Sequence, residues 1–350
     1  MIINVKLKIF RKGLIKMKVL FICKKRYVYG SREVVESFGL VNSADLVCKG
    51  LSKHNIECKV VVVIDANSID KEVYNYKPDI VIIEAMWVAP DKLKQIMKLH
   101  PKKLFIVRIH SKIPFLSYEG IAIKWLKEYA ELEKDKWNIK IGSNNKSTTK
   151  ELSKLLDVKL LYLPNVYPVT KIKKYEKSRR NVINIGCFGS IRPLKNTLIQ
   201  AIAAIDFAND KNMILHFHIN NKTEQMGERI LKNLESLFEG SIHRLIKHEW
   251  YDYKDFIEVV RKMDYGMQVS YSESFNIVIA DFINNNIPIV VSDEIDYLPE
   301  YNYANPNSVE DMVYVLKLFS LFRFFIVNVN KNALQEFTEK SIKIWLKILL

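Results

Sequence analysis

The 350-residue chain is 49% hydrophobic and 27% charged, enough apolar material for two cores and without the compositional mark of disorder. Lys+Arg 54 against Asp+Glu 39 leaves a net charge of +15, which invites an anionic partner, but only 11 of the 54 are Arg, the side chain suited to bidentate phosphate and base contacts, so nucleic acid is disfavoured. Four cysteines (Cys23, Cys48, Cys58, Cys187) without a C-x-x-C pair argue against a disulfide framework and for a reducing, cytoplasmic setting.

The first 16 residues are basic but lack the apolar block and cleavage site of a signal peptide, and Met17 opens a far better strand. Strands are predicted at 18–23, 58–64, 79–84, 104–109, 139–142 and 159–163. Several are nearly continuous in Val, Ile and Leu, as parallel strands covered on both faces are. Helices fall between them at 43–54, 91–99, 118–133 and 147–156, the last opening with Ser/Thr capping chemistry. Residues 164–181, with Pro164, Pro168 and the basic run Lys171 to Arg180, read as a linker. The alternation restarts with strands at 182–188, 214–219, 242–247, 265–270 and 288–292, and helices near 194–207, 223–238, 253–262, 275–285 and 308–319. The apolar stretch 313–329 is broken by Lys317 and Arg323 and is shorter than the roughly 20 residues a spanning helix needs, so no transmembrane segment is predicted.

These runs divide the chain into a basic extension (1–16), a first βα domain (17–166), a linker (167–181), a second βα domain (182–330) and a C-terminal helix (331–350) expected to pack back towards the first domain. The expected fold class is α/β: two Rossmann-like domains facing across a cleft, with ligands at the carboxyl ends of parallel strands.

The second domain's first strand runs into Gly186-Cys187-Phe188-Gly189-Ser190-Ile191-Arg192-Pro193-Leu194-Lys195-Asn196 before a helix begins. Gly189 and Ser190 would let the backbone approach a ligand, and Arg192 and Lys195 would reach a diphosphate. The alternative is that Gly186 and Gly189 only relieve crowding at a strand end. Further on, Ser270 to Asp281 places polar groups at a helix N-terminus, where the amides of Ser274, Phe275 and Asn276 would favour a nucleotide diphosphate. Glu273 and Asp281, roughly 9 to 12 Å apart by helical rise, suit two ends of one nucleotide sugar. A capping carboxylate plus an unrelated surface acid is the competing reading. In the first domain Val107-Arg108-Ile109-His110-Ser111-Lys112 ends a strand with His110 facing the cleft, where it is either functional or a strand-end histidine with ordinary hydrogen bonds. The loop 27–38, with Gly30 alone, is an acceptor-site candidate, and Trp250, Tyr251 and Tyr253 would border a nucleotide base or simply pack.

These ordered features resemble glycosyltransferase family four, retaining nucleotide-sugar-dependent enzymes of the GT-B fold. The family's E-x7-E motif is similar to Glu273 to Asp281, here E-x7-D, within Ser272-Glu273-Ser274-Phe275, a helix, and Ile287-Pro288-Ile289-Val290-Val291-Ser292-Asp293. Residues 185–196 resemble its diphosphate loop, and Leu163-Pro164-Asn165-Val166 its pre-linker P-N-G-V. The resemblance implies that Glu273 contacts the donor sugar and Asp281 the ribose. It implies too that Lys195 and Arg192, with Gly189, Ser190, Ser274, Phe275 and Asn276, hold the donor, and that His110 lies near the reacting sugar. His110, Glu273 and Lys195 form the catalytic set on this reading. Asp281 is one methylene shorter than the usual Glu, Ser190 stands where the family often has Arg, and Ser274 replaces Gly.

What the resemblance implies is a retaining transfer from a nucleoside-diphosphate sugar, as co-substrate, to a glycan or lipid-linked acceptor hydroxyl, without a metal or other cofactor. The absence of a G-x-x-x-x-G-K-[ST], a full G-x-G-x-x-G, a D-x-D triplet, an H-E-x-x-H and a G-x-S-x-G agrees with this narrowing. The alternatives are a nucleotide-sugar epimerase on the same fold and a non-catalytic basic protein docking on nucleic acid or membrane. A peripheral contact with an anionic membrane at the cytoplasmic face, through the amphipathic 331–350 segment, is a further expectation.

Overall fold

A computed structural model describes residues 16–27, 34–35, 38–170 and 181–350. The basic extension up to residue 15, the acceptor-loop glycine Gly30 and the basic run Lys171 to Arg180 lie outside the described residues. The chain divides into two units, Met1–Pro168 with Thr338–Leu350, and Val169–Phe337.

In the first unit the elements run β1 (Met17–Lys24), β2 (Arg26–Tyr27), β3 (Val34–Val35), α1 (Phe38–Ser52), β4 (Ile56–Val63), α2 (Ser68–Tyr76), β5 (Ile80–Glu84), α3 (Pro90–Leu99), β6 (Leu104–Ile109), α4 (Ile113–Leu116), α5 (Ala122–Lys134), β7 (Ile139–Ser143), α6 (Lys146–Leu156) and β8 (Leu161–Tyr162). The strands β4-β1-β5-β6-β7-β8 form one parallel sheet, and β2 pairs antiparallel with β3. Every residue of β5 is buried, because helices cover the sheet on both faces. One apolar cluster joins Leu20, Ile22, Val81 and Phe105 to α3 and α5, and another joins Val19, Phe21 and Ile82 to α1 and Trp345. The cap of α6 is Asn145, whose Oδ1 accepts from the Thr148 amide at 3.0 Å, so capping chemistry starts two residues before the expected Ser147.

The second unit continues with β9 (Val182–Gly186), α7 (Thr197–Asp210), β10 (Ile214–Asn220), α8 (Gly227–Phe238), β11 (Arg244–His248), α9 (Tyr253–Arg261), β12 (Tyr265–Gln268), α10 (Ile277–Asn284), β13 (Ile289–Val291) and α11 (Val309–Leu349), whose end belongs to the first unit. Its parallel sheet is ordered β11-β10-β9-β12-β13. The first strand of this unit lies centrally and the order reverses between β9 and β12. That is the switch point where open α/β sheets leave a crevice at their strand ends.

A pair of glycines sets the packing at that point. Gly186 and Gly266 are register partners on β9 and β12. A methyl group on Gly186 would come within 2.6 Å of Phe188 and 2.9 Å of Phe282, and one on Gly266 within 2.6 Å of Phe282. Phe282 of α10 therefore occupies the space both side chains vacate, and Gly186 relieves crowding rather than serving ligand approach.

Beyond residue 308 the expected pair of helices forms, but the two extend until they meet without a loop: α11 consists of two helical segments joined at a kink at Phe322, whose angles (φ −118°, ψ 27°) are non-helical. Its length and apolar composition suffice to cross a membrane. Yet Met312, Val313, Val315, Leu316, Phe319 and Ile326 lie in the second unit's core, which is why Lys317 and Arg323 interrupt the apolar run.

Candidate functional site at the switch point of the second sheet

The loops leaving β9 and β12 are stitched together by backbone and amide groups. Tyr271 donates its amide to the Leu194 carbonyl at 2.9 Å, and Val269 donates to Gln200 Oε1 at 2.8 Å. Gln200 in turn donates to the Lys195 carbonyl at 2.7 Å. Asn196 adopts φ 55° and donates through Nδ2 to the Val269 and Pro306 carbonyls. These bonds hold Lys195 beyond the carboxyl end of the central strand β9, where its ammonium forms an ion pair with Glu273. The side chains are 12% and 9% exposed, so both charges are largely desolvated yet reachable. The pair that the sequence separates by 78 positions is thus brought together.

Gln268, a residue the sequence reading missed, closes the cluster. Its Nε2 donates to the Phe188 carbonyl at 2.7 Å, while its Oε1 accepts from Asn276 at 2.7 Å and from Lys195 at 3.4 Å. An amide side chain ending the apolar strand Tyr265-Gly266-Met267-Gln268 was the available signal, since a buried polar group there needs partners. Ser270 adds a hydroxyl donor to Glu273 at 3.4 Å, and the Glu273 amide donates to Glu294 at 3.1 Å.

Gly189 sits at φ +117°, a region a side chain rarely enters, and a methyl group there would meet only Lys195, at 3.8 Å. Its amide donates to Asn220 Oδ1 at 2.8 Å. Ser190 is half-buried beside it, and Arg192 faces Glu224 at 3.8 Å. Ser274 is half-buried, and the Phe275 ring packs in an aromatic cluster with Tyr297 and Phe337, so Phe275 has only its backbone to offer a ligand.

One expectation needs correcting. The amides of Ser274, Phe275 and Asn276 do not form the helix N-terminus, because Asn276, at φ 55°, is the cap and the first helical residue is Ile277. The amides of Val278 and Ile279 bond to Asn276 Oδ1 and to the Asn276 carbonyl. The positive end of the helix dipole therefore stands two residues later than expected. Asp281 is 1% exposed and accepts from the Tyr253 hydroxyl at 2.9 Å, which makes Tyr253 part of its surroundings. Trp250 carries the Lys222 ammonium 4.5 Å from its ring centre, and Tyr251 packs edge-on to His248.

Below the Gly189 loop, His218 donates through Nε2 to Asn184 Oδ1 at 3.1 Å, so its Nδ1 accepts from His248 Nε2 at 2.8 Å. Burial, then the charges of His248 and His216, push the His218 pKa down to about 3. The unfolded chain takes up this proton below about pH 6.5 while the folded chain does not, so stability falls as pH drops from there towards about 3. By pH 5 the loss from this residue is about 2 kcal/mol. His218→Gln is expected to lose several degrees less melting temperature than the parent between pH 7 and pH 5; equal losses would contradict this assignment.

His110 lies in the first unit, at the carboxyl end of β6, bonded to Glu84. Glu84 is fully buried and accepts from Arg108 Nη1 at 3.1 Å through both oxygens. Arg108 also donates to Asn165 Oδ1 at 2.6 Å and to the Leu163 carbonyl at 2.9 Å, and its guanidinium lies over Trp345. Burial opposes ionisation of Glu84, but Arg108 and His110 outweigh it and its pKa is lowered. Burial, with Arg108 close by, holds the His110 pKa below the usual value despite Glu84. Histidine is thus presented in its neutral form near pH 7. Among the described residues no group of three or more His, Cys, Asp or Glu is placed to hold a metal ion.

No protein family and no curated protein matches this chain by sequence. Solved structures do match it in shape. A UDP-forming trehalose-phosphate synthase from Burkholderia xenovorans superposes with a TM-score of 0.64 over 96% of this chain and 99% of its own, at 11% identity. HepE of Anabaena, solved with UDP-glucose, gives 0.62 over 95% and 98% at 13% identity. TarM of S. aureus gives 0.60 over 77% and 55% at 15% identity. These neighbours are glycosyltransferases with two Rossmann-like domains. The chain has the GT-B fold. At 10–15% identity the likeness reaches the GT-B architecture alone. Within that GT-B architecture the Lys195–Glu273 pair stands at the switch point of the second Rossmann-like sheet.

Proposed function

We propose that this chain transfers a sugar from a nucleoside-diphosphate sugar to an acceptor hydroxyl, with the anomeric configuration retained and without a metal ion. The observation that carries the reading is the preorganised Lys195–Glu273 pair between the β9 and β12 loops, cross-linked by Gln268. As the donor bond breaks, negative charge grows on the leaving diphosphate. A fixed ammonium in a largely water-excluded site stabilises that charge without reorganisation. Lys195 is assigned to it, with Arg192 beyond it and the open backbone at Gly189 and Ser190 lining the approach.

Glu273 has two roles on this reading. It holds Lys195 in place before the donor arrives, and it accepts hydrogen bonds from the donor sugar's hydroxyls once the diphosphate claims the ammonium. Asp281, sharing its oxygen with Tyr253, is assigned to the ribose. Neutral His110, oriented by the buried Glu84–Arg108 pair, is the first unit's candidate for sugar contact. The neighbours solved with UDP and UDP-glucose make a uridine-diphosphate sugar the first donor to try. The acceptor is assigned as a glycan or lipid-linked hydroxyl.

Melting the full chain against UDP-, GDP- and ADP-sugars tests the reading. A donor at about 100 times its Kd stabilises the folded state by about 2.7 kcal/mol, a shift of about 5 to 10 °C for a domain of this size. No shift with any of the three series would remove it. A sugar nucleotide changed without added acceptor would replace transfer by epimerisation.

A further inference from the structure

Sugar transfer makes no use of the most apolar exposed surface in the second unit. α11 presents Leu321 at 74% exposure, Phe322 at 53%, Phe324 at 84% and Phe325 at 60%, four large apolar side chains within five residues. Tyr314, 65% exposed, lies one heptad before Leu321 on the same helical face. The opposite face of this stretch, through Met312, Leu316, Phe319 and Ile326, is core, so the outward side chains stand on a fixed support. The non-helical angles at Phe322 fall within the exposed run. Arg323, at its centre, is drawn inward: it donates to the Asp264 carbonyl at 2.7 Å and its guanidinium lies over Tyr265. The guanidinium is thus partly withdrawn from the apolar run, whose border carries the Lys211 ammonium, 3.1 Å from Ser320, and the Lys317–Asp210 ion pair.

We propose that Leu321, Phe322, Phe324 and Phe325 dock the chain on an anionic lipid bilayer by inserting into its interfacial layer. Contiguous exposed apolar surface of this kind marks an interaction site rather than ordinary surface scatter. Aromatic and leucine side chains bordered by lysines match the chemistry of a headgroup–acyl boundary, and the chain's net charge of +15 draws it to anionic lipid. A second protein is the poorer occupant. Side chains of about 150 to 250 Å² each, partly covered, offer roughly 500 Å², below the ~800 Å² per partner of a stable protein interface. With its inner face committed to the core, this part of α11 lies on the bilayer rather than through it. The 331–350 segment is the weaker anchor, because Leu334, Trp345 and Leu349 are buried.

The experiment is co-sedimentation of the full chain with vesicles of phosphatidylglycerol and phosphatidylcholine in equal parts, and of phosphatidylcholine alone. The parent is expected to pellet with the mixed vesicles. Phe324→Ser/Phe325→Ser, at exposed positions and with unchanged melting temperature, is expected to partition at least about tenfold less. Leu321→Ser serves as an independent variant with the same expected direction. The proposal is overturned if the parent stays in the supernatant, if the variants pellet as the parent does, or if sedimentation velocity shows a parent dimer that the same substitutions dissolve. It stands apart from sugar transfer, since donor binding by the same variants is expected to equal the parent's.

Discussion

Lys195→Ala is expected to lower turnover of a nucleoside-diphosphate sugar by about 10- to 100-fold or more. On the proposed function the removed ammonium is one charge-assisted contact to the leaving diphosphate, about 1.5 to 3 kcal/mol, and such contacts count most where water is excluded. Glu273→Gln is expected to act in the same direction for two reasons. It weakens the hold on Lys195, and it removes the carboxylate that the proposed function assigns to the donor's hydroxyls. The rates are to be read with melting curves, because Lys195→Ala leaves a carboxylate that is only 9% exposed without its ion pair. A folded variant retaining activity within about threefold of the parent, under 1 kcal/mol, would take the residue out of the mechanism.

Arg108→Met is expected to destabilise the first unit by about 3 to 5 kcal/mol, or roughly 10 °C in melting temperature. Both members of the Glu84–Arg108 pair are fully buried, and without the guanidinium the Glu84 carboxylate is left with His110 as its hydrogen-bond partner among the described residues. The Leu163 carbonyl loses the Arg108 donor as well, while Asn165 Oδ1 keeps the Asn144 amide at 3.3 Å. The double substitution Glu84→Gln/Arg108→Met removes the uncompensated charge and is expected to recover part of the loss, since replacing a buried pair costs less than breaking one. Differential calorimetry of the three chains decides it: a single substitution that melts with the parent would show that the pair holds nothing together.

Much of this architecture was legible because parallel strands covered on both faces must be apolar throughout. Ile80–Glu84 and Leu104–Ile109 declare themselves in that way. The helix Ser68–Tyr76 does not, since only Ile69 and Val73 are buried among its nine residues and its polar face hides the period. Charges inside apolar strands were the neglected signal. Glu84 and Arg108 each end or interrupt a run that admits no solvent, so each required a partner from another strand. Of the site, the Lys195 and Glu273 loops were visible from their residue types. Gln268 was not, because one amide at a strand end says nothing until its three partners from distant loops converge on it. The helix start was misplaced for a local reason: the left-handed Asn276 caps through its own side chain, so the polar run before it is turn and not first helical turn.

The most direct test of the central claim is titration calorimetry of UDP, GDP and ADP against the parent chain and Lys195→Ala. One of the three is expected to bind the parent at a single site, with affinity falling at least about tenfold in the variant, the equivalent of 1.4 kcal/mol. Equal affinity in both chains would place the diphosphate elsewhere, and no binding to the parent by any of the three would contradict a nucleotide site between the β9 and β12 loops.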